Sequence, residues 1–143
     1  MNITIKRLDT SLPIPEYQTD GSAAFDLYSR VDMTCPAKEI SRIPTNLIVE
    51  TPEGYALLVN LRSSSPKRKG FIHPAGTGIV DSDYRGPEDE ICVQVYNFTD
   101  QNVTVEKGER IGQAMFIAVP KVTLVEGELG TNASRGGFGS TGA

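Results

Sequence analysis

Apolar and polar positions alternate with a period of two over short stretches of this chain, and glycine or proline cuts off each stretch. Successive side chains on a strand point to opposite faces. The alternation therefore predicts half-buried strands at residues 2–8, 24–30, 46–50, 55–61, 91–98, 102–105, 110–119 and 121–125. No window sustains an i, i+3, i+4 apolar stripe over three turns, so no long helix is expected. One short helical turn fits residues 63–69, where serines are placed to supply N-cap oxygens and Pro66 suits the first turn. The stretch 71–78, with His73, Pro74 and the Gly76-Thr77-Gly78 run, reads as a hairpin leading into Ile79 and Val80. Strands recurring at this spacing point to an all-β sandwich, jelly roll or barrel. From Gly127 onward glycine, serine and threonine dominate, which leaves little to bury and predicts a mobile tail. The division is thus a core over 1–126 and an arm over 127–143.

Length and charge narrow the picture. A chain of 143 residues and 15.5 kDa is one domain's worth of core. No apolar run approaches the roughly 20 residues of a membrane-spanning helix, and the N-terminus lacks a secretory pattern. The expectation is a protein without membrane association, cytoplasmic or nuclear. Cys35 and Cys92 stand far apart and read as two free thiols in a reducing compartment. A net charge of −4 and a pI near 5.0 argue against a general nucleic-acid binder. A polyanionic ligand would have to be small and met by a local cluster, such as Lys67, Arg68 and Lys69.

Four segments carry candidate chemistry. In Arg62-Ser63-Ser64-Ser65 a guanidinium, hydroxyls and the free amides of a helical turn can face one oxyanion, although a capped surface turn has the same pattern. In Asp81-Ser82-Asp83-Tyr84, read as extended, Asp81 and Asp83 project to one side and Tyr84 to the other, so one carboxylate at most shares a pocket with the ring. Asp81 suits a general base for water and Asp83 a cation pair; a polar turn is the bland alternative. The Lys107–Gln113 stretch enters a strand with Gln113 available to point inward or to be satisfied by neighbours. The Arg135–Gly142 stretch joins a charge, an aromatic face, hydroxyls and close-approach backbone, but lacks the lysine and helix of a Walker P-loop. A single Arg-Gly-Gly is weak support for an RNA-binding tail. His73, the lone histidine, excludes metal sites that need several imidazoles and reads as structural.

In this order the segments resemble the five motifs of the trimeric dUTPase family: Ala24–Ser29, Arg62–Gly70, Gly76–Gly86, Gly108–Gln113 and Arg135–Gly142. The resemblance covers most of the chain. It implies a distorted jelly-roll, β-clip-like subunit in a homotrimer with an exchanged C-terminal arm, and active sites at subunit boundaries. It implies dUTP as substrate, hydrolysed to dUMP and pyrophosphate by a water that Asp81 activates for in-line attack on the α-phosphate. By the same resemblance, Arg62, Ser63, Ser64 and Gln113 hold phosphates, and the backbone of Gly76, Thr77, Gly78, Ile79 and Val80 reads uracil. Tyr84 packs on deoxyribose. Arg135, Ser140 and Thr141 meet the outer phosphates, with Gly139 between them and Phe138 stacked on the base. Mg²⁺ is expected to be held mainly by the phosphates, with Asp26 acting through water.

The chain departs from the family at Leu61-Arg62-Ser63-Ser64-Ser65-Pro66, where Pro-Arg-Ser-Gly-Leu-Ala is usual, so the turn geometry is expected to differ. Ala75 stands where asparagine is common, and the acidic stretch Pro87-Glu88-Asp89-Glu90 is a few residues longer than usual and has no assigned role. Two other readings exist on the same fold. One is a dCTP deaminase, which the Asp81–Tyr84 segment and the aromatic arm disfavour. The other is a nucleotide-gated regulatory binding protein.

Overall fold

The computed structural model describes residues 1–130. Eleven strands and one short helix follow in order: β1 (Ile5–Arg7), β2 (Phe25–Tyr28), β3 (Met33–Cys35), β4 (Ile40–Pro44), β5 (Leu47–Val49), β6 (Tyr55–Leu61), α1 (Ser65–Lys69), β7 (Phe71–Ile72), β8 (Gly78–Val80), β9 (Cys92–Asn97), β10 (Val103–Val105) and β11 (Arg110–Ala118). Among these residues no helix is long and apolar enough to cross a membrane.

Two antiparallel sheets face each other. One runs β2-β11-β6-β8 and the other β4-β9-β7, while the pairs β1-β5 and β3-β10 flank them. Alternation drives this packing. In β9, Val93, Val95 and Asn97 are buried while Cys92, Gln94 and Tyr96 point outward or lie half-buried. Leu27, Leu57, Val59 and Ala114 of the first sheet join Ile43, Phe71, Val93 and Val95 of the second in one continuous core, the jelly-roll-like arrangement expected. Gly112 lets the layers close. A Cβ there would lie 2.8 Å from Val93 Cγ2 and 3.0 Å from the Asn60 carbonyl oxygen.

Several expectations need correction. Residues 71–78 are not a hairpin: β7 pairs with β9 and β8 pairs with β6, so the intervening turn carries the chain from one sheet to the other. Residues 121–125 form no strand. They are exposed and pair with no strand among the described residues, and an unpaired strand is not stable. Conversely β3 and β4 had no clear signal, because β3 has three residues and Ile-Ser-Arg-Ile-Pro puts Ser41 inward and Ile40 outward. Pro44 is tolerated since β4 lies at a sheet edge.

Asn97 fixes the turn after β9. Fully buried, it donates to the carbonyls of Cys35 (3.1 Å) and Gln101 (2.8 Å) and accepts from the amide (3.0 Å) and hydroxyl (2.8 Å) of Thr99. Removing it strands buried polar groups, at about 1–3 kcal/mol each. Asn97→Ala is expected to lower unfolding free energy by about 2–3 kcal/mol, measured by urea denaturation at fixed protein concentration.

Candidate active site

Two clusters of polar residues lie at neighbouring places on the surface, and each follows from local structure. The first grows from β11. A bulge between Arg110 and Gly112 shifts its register against β2, which re-aims Arg110 toward Asp26. Arg110 Nη1 donates to Asp26 Oδ2 at 3.0 Å and to Gln18 Oε1 at 3.1 Å. Arg62, at the end of β6, places Nε 3.1 Å from Asp26 Oδ1. The Asp26 side chain is 8% exposed, so two guanidiniums compensate one buried carboxylate and leave a net positive face. Gln113 is half-buried on β11, in register between Asp26 and Asn60.

Beyond Arg62 the chain turns into α1. Ser64 is the N-cap residue but its hydroxyl makes no capping hydrogen bond, contrary to expectation, because Ser64 has α-helical rather than extended backbone angles. Ser63 is exposed and Ser64 half-buried. Pro66 occupies the first turn as anticipated, and Gly70 closes the helix at φ 67°. The basic run is not part of this cluster. Lys69 is committed to Glu109 (2.9 Å) and the Thr104 carbonyl (2.8 Å), while Lys67 and Arg68 line a separate groove with residues 98–103.

The second cluster surrounds a groove of about 540 Å³ whose walls include Arg42, His73, Thr77, Val80, Asp81 and Tyr84. The sequence between Asp81 and Tyr84 is not extended. Hydrogen bonds from the Tyr84 amide to the Asp81 carbonyl (3.2 Å) and from the Arg85 amide to the Asp83 carbonyl (3.0 Å) fold it into a turn. That turn brings Asp81 and Tyr84 to one groove and leaves Asp83 out of it, and among the described residues Asp83 forms no ion pair. The Asp81 carboxylate is exposed and accepts no hydrogen bond among the described residues. Burial pushes the His73 imidazole below its ordinary pKa, which keeps it neutral, and its Nδ1 accepts the Ala75 amide at 3.3 Å. His73 is thus structural, bracing the turn.

The clusters meet at Thr77. Its hydroxyl donates to Asn60 Oδ1 at 2.9 Å, and with Gly76 it lines a shallow concavity of about 350 Å³ beside Arg62 and Ser63. One chain therefore brings Arg62, Ser63, Gly76 and Thr77 together. It does not bring Asp81 and Tyr84 into one cavity with Asp26 and Gln113. Gly78, Ile79 and Val80 form β8, which pairs only with β6 and so leaves its outer backbone groups unpaired within its sheet. Arg135, Phe138, Gly139, Ser140 and Thr141 lie outside the described residues. Two contributors escaped the sequence reading: Arg110, whose role depends on the bulge, and Asn60, which looks like an ordinary strand residue until Thr77 is seen beside it.

Among the described residues no group of three or more His, Cys, Asp or Glu side chains is placed to hold a metal ion. Asp26 is the one carboxylate of the first cluster, and both its oxygens face guanidiniums. That donor set does not form a cage, and with two guanidiniums on one carboxylate its positive face suits an anion; a cation would have to arrive with that anion, carrying its own oxygen ligands and waters.

The family model for dUTPase matches residues 10–142, nearly the whole chain. The chain belongs to the dUTPase family. Relatives named deoxyuridine 5'-triphosphate nucleotidohydrolase include that of Dictyoglomus turgidum, 40% identical over 148 residues, with 99% of each chain covered. That of Hydrogenobaculum sp. is 38% identical over 146 residues, again with 99% of each covered. Among solved structures, the dUTPase of Streptococcus mutans superposes with a TM-score of 0.74 at 29% identity, covering 86% of this chain and 98% of that one. The Staphylococcus bacteriophage 80alpha dUTPase reaches 0.85 at 23% identity, with 99% of each covered, and shares the fold.

In this dUTPase family member Asp26 organises two cations. Asp26→Ala leaves both guanidiniums without their partner, and a loss of about 2 kcal/mol is expected because both arginines are partly solvated. Urea denaturation beside wild type measures it; an unchanged midpoint would show that Arg62 and Arg110 do not depend on Asp26.

Proposed function

We propose that this protein hydrolyses dUTP to dUMP and pyrophosphate, and so limits uracil entry into DNA. Within a member of the dUTPase family, the observation that carries the reading is the free Asp81 carboxylate in the groove shared by Tyr84 and β8. A carboxylate without hydrogen-bond donors keeps its lone pairs for water. Asp81 takes a proton from that water as it attacks the α-phosphorus in line, and pyrophosphate leaves.

Base recognition follows from edge-strand physics. The outer amides and carbonyls of Gly78, Ile79 and Val80, with the turn at Gly76 and Thr77 before them, offer fixed donors and acceptors to one pyrimidine edge, and their proximity crowds the 5-position. Thymine then fails sterically and cytosine by mismatched hydrogen bonds. Tyr84 packs on the sugar and leaves no room for a 2′-hydroxyl. Arg62, Ser63, Ser64 and Gln113 hold phosphate oxygens, and the uncapped Ser64 hydroxyl supports this part of the reading. Arg135, Ser140 and Thr141 meet the outer phosphates from the 127–143 arm, Gly139 allows close approach, and Phe138 stacks on uracil.

Separation of the Asp81 groove from Asp26 and Gln113 within one subunit supports a homotrimer, in which neighbouring copies supply the missing walls. Mg²⁺ suits the substrate: bound to the phosphates it offsets their charge. Asp26 reaches that hydrated ion through water, and protein side chains alone do not retain it. The proposed ligand remains a small nucleotide, with neither nucleic acid nor membrane as partner. Two free thiols, Cys35 buried and Cys92 exposed, suit a reducing cytoplasmic or nuclear setting.

Pyrophosphate release from dUTP, dCTP, dTTP and UTP, assayed in parallel with and without Mg²⁺, tests the assignment. Release from dUTP alone, dependent on Mg²⁺, is expected; ammonia from dCTP would place the protein with the deaminases. Asp81→Asn is expected to bind a non-hydrolysable dUTP analogue as wild type does, while turnover falls about 10²–10⁴-fold. Wild-type turnover by that variant would remove Asp81 from the mechanism.

A further inference from the structure

The acidic stretch after Gly86 is built more firmly than a surface loop requires. Glu90, its side chain only 12% exposed, accepts a fork of two hydrogen bonds from Arg30, Nε to Oε1 and Nη2 to Oε2, both at 2.8 Å. Oε1 also accepts the Asn46 amide at 2.7 Å. Asn46 is buried, and its side chain clasps Asp9 through the Asp9 amide (2.6 Å) and carbonyl (2.9 Å). Bidentate guanidinium–carboxylate pairs fix orientation as well as distance. Glu90 is therefore pinned from two sides, by Arg30 just past β2 and by the residue before β5.

From that pinned point the loop reaches back to Tyr84. The Glu90 carbonyl accepts the Tyr84 hydroxyl at 3.4 Å, and Asp89 Oδ2 accepts the Gly86 amide at 2.6 Å while the Asp89 amide returns to the Gly86 carbonyl at 3.1 Å. A hydrogen bond of 3.4 Å is long, so its value is direction rather than energy. Tyr84 is 42% exposed and makes no aromatic stacking contact among the described residues.

We infer that Glu90, clamped by Arg30 and Asn46, is a positioning residue that holds the Tyr84 ring where it excludes a 2′-hydroxyl, and so sets the preference for deoxyribose over ribose. The inference rests on the placement of Tyr84 against the sugar in the proposed function. A steric wall rejects one extra oxygen only if it cannot retreat; about 0.5 Å of play in a supporting shell is enough to loosen such a site. The hydrogen bond to the pinned Glu90 carbonyl thus gives the exposed ring a preferred direction. Burial, followed by the nearby Asp89 charge, pushes the Tyr84 hydroxyl above its ordinary pKa, so it remains a donor at neutral pH.

The test is kcat/KM for dUTP and for UTP, measured on the full chain with Mg²⁺ for wild type, Glu90→Gln, Arg30→Gln, the double variant and Asp89→Ala. Gln at 90 cannot accept the full fork. Glu90→Gln and Arg30→Gln are each expected to reduce the dUTP/UTP ratio about tenfold, chiefly through KM, with kcat for dUTP within about twofold. The double variant should lose no more than either single one, since both break one unit. Arg30→Gln breaks the fork while leaving Glu90 in place and decides the matter if Glu90→Gln does not fold; Asp89→Ala keeps the clamp and should retain a near-wild-type ratio. A wild-type ratio in the folded clamp variants, with only thermal stability reduced, would overturn the inference and leave the proposed function standing. No preference for dUTP in the wild type would sink both.

Discussion

The double ladder along β11 is the constraint on which the rest depends. Its nine residues pair with β2 on one side and β6 on the other, so the positions of Asp26 and Asn60 are both referred to Gln113 by register. One slip of a residue would turn every side chain on the strand to the opposite face. The core prevents it, because Gly112 faces Val93 across the sandwich where no longer side chain fits, and Ala114 is buried in the same core. The placement of Asp26, Asn60 and Gln113 is thereby anchored in packing.

From that anchor the chemistry spreads outward in steps of decreasing rigidity. Asp26 gathers Arg62 and Arg110 against the ladder. Asn60, next on β6, holds Thr77 and with it the turn between the two sheets. Past that turn β8 lies at an edge, where unpaired backbone groups are a liability unless something covers them. A nucleotide base and a neighbouring subunit are both apt covers. The edge is short, which limits wrong pairing, and its exposed Ile79 is the kind of apolar residue that an assembled trimer would hide.

Two halves of a site that do not face one cavity within a subunit give a physical reason for a family to work as an assembly. Positive charge gathers at Arg62 and Arg110 on one half, and the free carboxylate sits on the other. Keeping Asp81 away from the guanidiniums within one chain leaves it available to water instead of being tied in an ion pair. In the proposed trimer, subunit contact would bring the proposed phosphate binders and the carboxylate together around the substrate.

The strands at 55–61, 92–97 and 110–118 and the single helical turn were legible from alternation and local motif, because each is a short-range property of the chain, while Asp81, Tyr84, Arg62 and Ser63 stood out by residue type alone and their mutual placement did not. Glycine and proline positions likewise marked where strands had to stop. What the residues could not disclose is every feature that depends on a distant partner. The 71–78 stretch looks like a hairpin until β7 and β8 are seen to choose different sheets. Residues 121–125 alternate like a strand but join no sheet among the described residues. Arg110 gains its role from a bulge, Asn60 from Thr77, and Glu90 from Arg30, which lies 60 residues away. Alternation encodes which face of a segment is buried; only closure of the two sheets decides which segments face each other, since pairing is settled by long-range competition for the same core.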